Sequence, residues 1–230
     1  MNVFFILAVI TAVLVPVATV LSFALPPFRK NHLPAKMVCS ALFLITAVFA
    51  AFAYGSVTSY TALMIAALFF GLLGDFFLDW KNGKTFPVGV ICFTVCHLIY
   101  IGTLGFNRTP HITGYVKEFL LGFLGLCVVS VIHVAMNKIK FEGKNKALIP
   151  YCLTLMVSFT VALTRGIISL SAGDTYYGIC LIAAGALFVA SDGCLAAKMF
   201  GKPLLKNLDP LVGITYFPAQ ALFAMSIFYQ

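Results

Sequence analysis

Long apolar stretches separated by short polar breaks run along the whole chain. They fall at residues 3–25, 37–54, 60–80, 86–106, 114–137, 147–169, 176–199 and 210–229. Each is about the length a helix needs to cross the hydrocarbon of a bilayer. The breaks carry Pro, Gly, Asn or charge: Pro26-Pro27 with Arg29 and Lys30, Gly55, Lys81-Asn82-Gly83-Lys84, Asn107-Arg108, Lys138 to Lys146, Gly173-Asp174, and Lys202 to Pro210. Such residues end helices and mark loops. The short, alternating segments of a barrel do not occur in the sequence. The pattern predicts an all-α, polytopic membrane helix bundle of about eight transmembrane helices, a single domain over residues 1–230. No basic segment precedes the first stretch, so it is expected to be a retained span and not a cleaved signal.

Composition strengthens this picture. Apolar residues make up 62% of the chain, and the mean hydropathy of +1.05 exceeds what a soluble domain tolerates. The net charge of +8 could suggest nucleic acid, but its placement argues against that partner. With eight spans, alternate loops share a side. One side then holds Arg29, Lys30, Lys36, Lys81, Lys84, Lys138, Lys140, Lys144, Lys146, Lys198, Lys202 and Lys206, which is twelve of the fifteen Lys and Arg. Arg108, Lys117 and Arg165 remain on the other. The excess predicts cytoplasmic basic loops, with both termini on the non-cytoplasmic side. The seven cysteines lie inside apolar stretches and lack zinc-site or disulfide-scaffold spacing. Cys92 and Cys96, one turn apart, are expected to be packing residues, and no metal or cofactor is predicted.

Charge inside hydrocarbon is costly and marks candidate functional residues. Asp75 lies roughly 7 Å, and Asp192 roughly 10 Å, from the cytoplasmic ends of their spans. His97 is about 16 Å from that face, and Tyr216 and Gln220 about 9–15 Å. Four helices thus place polar groups in one depth band. Blander roles exist. Asp75 could pair with Lys81 or Lys84, and Asp79, beside Trp80, fits an interfacial carboxylate. His97 and Tyr100, one turn apart, fit packing. His133 is expected to be interfacial, and Arg165 to snorkel outward. Span three, with Gly74-Asp75 and Leu78, weakly echoes span seven, with Ser191-Asp192 and Leu195.

Desolvation disfavours the charged form of a carboxyl, so a buried one is a ready proton donor. A second can stay ionised and stabilise positive charge, as in glycosidases. The residue set therefore suits acid-catalysed attack on a labile C–O bond. It suits a proton-coupled transporter or channel equally well. Transporters show broken helices at mid-membrane; here Pro16 and Pro218 are the candidates, and neither pairs with a matching break in the other half.

Several motifs appear in order. Leu72-Leu73-Gly74-Asp75-Phe76-Phe77-Leu78 resembles the G-D-x-x-L signature of the YhhN family of lysoplasmalogenases. Phe86, Gly89 and Phe93 followed by His97-Leu98-Ile99-Tyr100 are similar to its F-x-x-G and H-x-x-Y helix. Gly185-Ala186-Leu187-Phe188-Val189-Ala190-Ser191-Asp192 resembles G-A-x-L-F-x-x-S-D, one residue shorter between Ala186 and Leu187, and Tyr216-Phe217-Pro218-Ala219-Gln220 resembles Y-x-x-A-Q. Pro34-Ala35-Lys36 loosely resembles the K-P segment opening the second helix, with its order altered.

The resemblance implies hydrolysis of the vinyl ether bond of lysoplasmalogens, yielding a fatty aldehyde and glycerophosphoethanolamine or glycerophosphocholine. It implies a lysophospholipid and membrane lipid as partners, and a cell (inner) membrane or endoplasmic reticulum location, according to source. Asp75 and Asp192 are then the candidate acid and the candidate anion, with the assignment open. His97, Tyr216 and Gln220 would orient water or the carboxyls. Tyr100, Ser191, Lys36, Lys202 and Asp79 are candidate substrate contacts. Of these, Tyr100 would hold the phosphoglycerol part, and Lys36 and Lys202 would meet phosphate.

Overall fold

In a computed structural model the described residues are 2–25, 32–80, 84–107, 109–140, 148–201 and 208–230. They form eight α-helices: α1 (Val3–Ala24), α2 (His32–Tyr54), α3 (Ser59–Asp79), α4 (Phe86–Phe106), α5 (Val116–Asn137), α6 (Ile149–Ser171), α7 (Thr175–Phe200) and α8 (Asp209–Met225). A 3-10 turn, Ile112–Tyr115, leads into α5. Seven helices are long and apolar enough to cross a membrane. The eighth, α8, has 17 residues, the lower limit for spanning. The polytopic all-α bundle predicted from the apolar stretches is what forms.

Helix limits follow local chemistry. Asn2 caps α1 by accepting from the Phe4 N–H, and Thr58 caps α3 by accepting from the Thr61 N–H. Each supplies one of the partners that the first turn of a helix lacks. Proline in the first turn opens α4, α6 and α8, where its missing N–H is harmless. The second span begins earlier than the apolar stretch at 37: α2 starts at His32 and includes Lys36. Pro34 is tolerated there because it falls in the first turn. Pro16 and Pro218 lie within α1 and α8 without ending either helix.

The helices form a closed ring in the order α1, α2, α3, α4, α6, α7, α8, with α8 returning to pack on α1 and also on α2. Helix α5 stands outside, packed on α6 and barely touching α7. Its Leu120, Leu121, Leu124, Val128 and Val131 are exposed, as suits a helix facing lipid. Because lipid tails are as apolar as leucine, close packing must hold the ring together. Gly166 of α6 and Gly178 of α7 allow this: a Cβ on either would stand within 3 Å of the other's carbonyl oxygen. Cys92 and Cys96 are buried, and all seven cysteines are free thiols.

Arg165 departs from its expected role. It is 1% exposed and does not snorkel. Its guanidinium donates to the carbonyls of Leu104, Gly105 and Pro110. The last carbonyls of α4 have no partners within their own helix, and a forked donor from α6 serves them better than water at the surface would.

Candidate functional site

A cavity of 1370 Å³ occupies one end of the bundle. Helices α1, α3, α5 and α7 finish there, and α2, α4, α6 and α8 begin there; all eight contribute lining residues. Most of the wall is apolar; its polar residues include Lys36, Asp75, Asp79, Tyr151, Asp192 and Tyr216, with His133, Lys198 and Asp209 also on the lining. The depth band read from the sequence therefore converges in space for Asp75, Asp192 and Tyr216.

Asp75 is 1% exposed although it borders the cavity. Ser40 and Tyr216 both donate to its Oδ2, at 2.7 and 2.9 Å. The Lys36 ammonium lies 3.5 Å from its Oδ1 and 3.1 Å from Oδ2 of Asp79. Lys36 and Ser40 are one turn apart on α2, so one helical face delivers both. The Asp75 pairing expected with Lys84 is made with Lys36 instead, and Lys81 lies outside the described residues. Asp79, with its side chain 44% exposed, is at the rim, as its place beside Trp80 suggested.

A chain of donors runs towards Asp75. Tyr100 donates to Oε1 of Gln220 at 2.7 Å, and Nε2 of Gln220 donates to the Tyr216 hydroxyl at 3.1 Å. Tyr216 has one proton, which then points to Asp75. Gln220 and Tyr100 are fully buried, and neither lines the cavity. They stand behind Tyr216, and Tyr100 stacks on Phe223 with ring centroids 4.3 Å apart. Tyr100 thus has no surface on the cavity for a phosphoglycerol group.

Asp192 borders the cavity half-buried and accepts a hydrogen bond from Tyr151 of α6. Neighbouring Ser191 donates to the Val212 carbonyl at 3.1 Å, tying α7 to α8. His97 is 2% exposed and away from the cavity lining. Its Nδ1 meets Ser158 at 3.2 Å, its ring meets Phe188 edge-on, and among the described residues its Nε2 has no hydrogen-bond partner. Lys202 lies outside the described residues.

Tyr151, Ser40 and His133 were not legible as site residues, nor was Ser158 as the partner of His97. Tyr151 opens a span, where an aromatic reads as part of the interfacial belt. Ser40 and Ser158 are small hydroxyls that ordinarily bond back to their own helix, as Ser40 also does with the Lys36 carbonyl. His133 is more than interfacial: its Nε2 meets the Gly193 carbonyl at 3.0 Å and it borders the cavity.

Apolar spanning helices around an acidic cavity define an integral membrane protein with a buried carboxylate site. The chain matches the YhhN family over residues 31–227 and belongs to that family. No solved structure matches it.

Proposed function

We propose that this chain is a membrane-embedded hydrolase that cleaves the vinyl ether bond of lysoplasmalogens. Its products are a fatty aldehyde and glycerophosphoethanolamine or glycerophosphocholine. The observation that carries this reading is that Asp75 and Asp192, from different helices, border one largely apolar cavity. Family membership supports the same chemistry. A volume of 1370 Å³ accommodates a single-chain lipid, with its alkenyl chain along Leu126, Val129, Leu155 and Val212. The glycerophospho group then lies toward the polar rim, and the substrate enters sideways from the bilayer. Both termini face away from the cytoplasm, and the rim faces the cytoplasm.

A vinyl ether is cleaved by adding a proton to the carbon β to the ether oxygen. The π electrons form the new C–H bond, and an oxocarbenium ion remains. One carboxyl of the pair supplies the proton, and the other, ionised, stabilises the cation in surroundings where water screens little. Water adds to the cationic carbon and gives its proton back to the carboxylate. The resulting hemiacetal breaks its C–O bond as its hydroxyl proton passes to the leaving oxygen. Lys36 is engaged by two carboxylates, so its first task is electrostatic, whatever phosphate it also meets.

The test is aldehyde release from lysoplasmalogen by purified protein, with Asp75→Asn and Asp192→Asn alongside. Both variants should lose activity by about 100-fold or more. Absence of aldehyde from the wild type sinks the reading, and full activity in both variants discards this site.

A further inference from the structure

The two carboxyls have different surroundings, and the difference separates their roles. Both oxygens of Asp75 are engaged: two hydroxyls converge on Oδ2, and an ammonium faces Oδ1. The Tyr100–Gln220–Tyr216 chain fixes the direction of one of those hydroxyl protons, because Tyr216 already accepts from Gln220. Linked hydrogen bonds that end on an anion reinforce one another. Among the described residues Asp192 has one donor, Tyr151. Among the described residues no lysine or arginine pairs with Asp192, and Lys198, on the same helix, is engaged by Asp209.

Other titratable groups do not reverse this contrast. Asp75 is also within electrostatic reach of the thiols of Cys39 on α2 and Cys96 on α4, both neutral hydrophobes in this setting, and Asp79 lies one turn along α3. Asp192 faces Tyr151 and Cys152 of α6, while His133 of α5 binds the carbonyl of the next residue.

Resting on the hydrolase reading, we infer that Lys36 is a positioning residue that keeps Asp75 ionised, and that Asp192 is the carboxyl that delivers the proton. The Asp192 O–H bond breaks as the vinyl carbon takes the proton, and Asp192 becomes a carboxylate. Asp75, anionic throughout, faces the oxocarbenium ion. The attacking water restores the Asp192 proton. Tyr151 is the second positioning residue and directs the Asp192 carboxyl into the cavity.

The experiment is the pH–rate profile of aldehyde release for Lys36→Met, Lys36→Arg and Tyr151→Phe, with infrared spectra of Asp75→Asn and Asp192→Asn. Activity needs Asp75 ionised, so it rises through an acid limb. Removing the Lys36 charge should move that limb up by about one to three pH units, and Lys36→Arg should return it. Activity needs Asp192 protonated, so it falls through a basic limb. Tyr151→Phe removes a donor to the ionised form and should move the basic limb upward, leaving the acid limb in place.

The protonated-carboxyl stretch of the protein at neutral pH should lose intensity in Asp192→Asn and persist in Asp75→Asn. The reverse spectra, or a Lys36→Met profile that moves at the basic limb, would overturn the assignment. A slower Lys36→Met enzyme with both limbs unmoved would overturn the positioning role. If the wild type releases no aldehyde, the hydrolase reading fails, and the spectra still decide which carboxyl holds the proton.

Discussion

Gly71→Ala probes the donor chain behind Asp75 without deleting any polar group. A Cβ at position 71 would stand 2.7 Å from Nε2 of Gln220, whereas ordinary contact begins near 3.4 Å. The amide must retreat by the difference, 0.7 Å. It has no easy way to do so, because Gln220 is fully buried and held by Tyr100 at 2.7 Å and Tyr216 at 3.1 Å. Lengthening either bond in a dry interior costs about 1–3 kcal/mol. Alanine in place of glycine returns about 1 kcal/mol of helix propensity. The net loss of stability is then about 0–2 kcal/mol, small enough for the protein to fold.

Activity should fall much further, by about 100-fold, because misplacing a group near the chemistry by a fraction of an ångström to an ångström is that damaging. In a Gln220→Ala background the same substitution meets no amide and should stabilise by about 1 kcal/mol. The two changes should therefore couple by about 1–3 kcal/mol. Unfolding midpoints in mixed micelles, paired with aldehyde release, measure both quantities. Equal stability losses in the two backgrounds, or full activity in Gly71→Ala, would show that the donor chain does not hold Tyr216 on Asp75.

Two further outcomes concern other parts of the molecule. Arg165→Ala leaves the carbonyls of Leu104, Gly105 and Pro110 without this donor and should cost roughly 3 kcal/mol in micelle unfolding; Arg165→Lys should recover only part, since an ammonium lacks the fork. A cysteine at Lys140, which is exposed at the end of the bundle holding the cavity, should be labelled in a background without the native cysteines from the cytoplasmic side alone; labelling from outside would invert the proposed orientation.

The sequence carried the architecture because hydrophobic stretches of spanning length leave few alternatives, and because alternating helices put one end of each at the cavity. It also carried Asp75, Asp192 and Tyr216, whose polarity is conspicuous among apolar neighbours. It carried less about rank. His97, Tyr100 and Gln220 share the depth of the carboxyls, yet they lie behind the cavity wall, since depth along a helix does not say which way a side chain turns. Lys36 looked like a loop cation because the apolar run begins after it. The helix reaches back past Pro34 and turns Lys36 inward, where Asp75 and Asp79 hold it. Tyr151 could not be told from an interfacial aromatic, because its partner Asp192 is brought to it by packing between α6 and α7.

Protonation at carbon, the first step of vinyl ether cleavage, can be read in the product. Purified protein in vesicles is given lysoplasmalogen in D2O, and the released aldehyde is analysed by mass spectrometry. One deuterium is expected on the carbon next to the carbonyl, with release reduced about 100-fold or more in Asp192→Asn. Aldehyde without that deuterium, or no aldehyde at all, would contradict it.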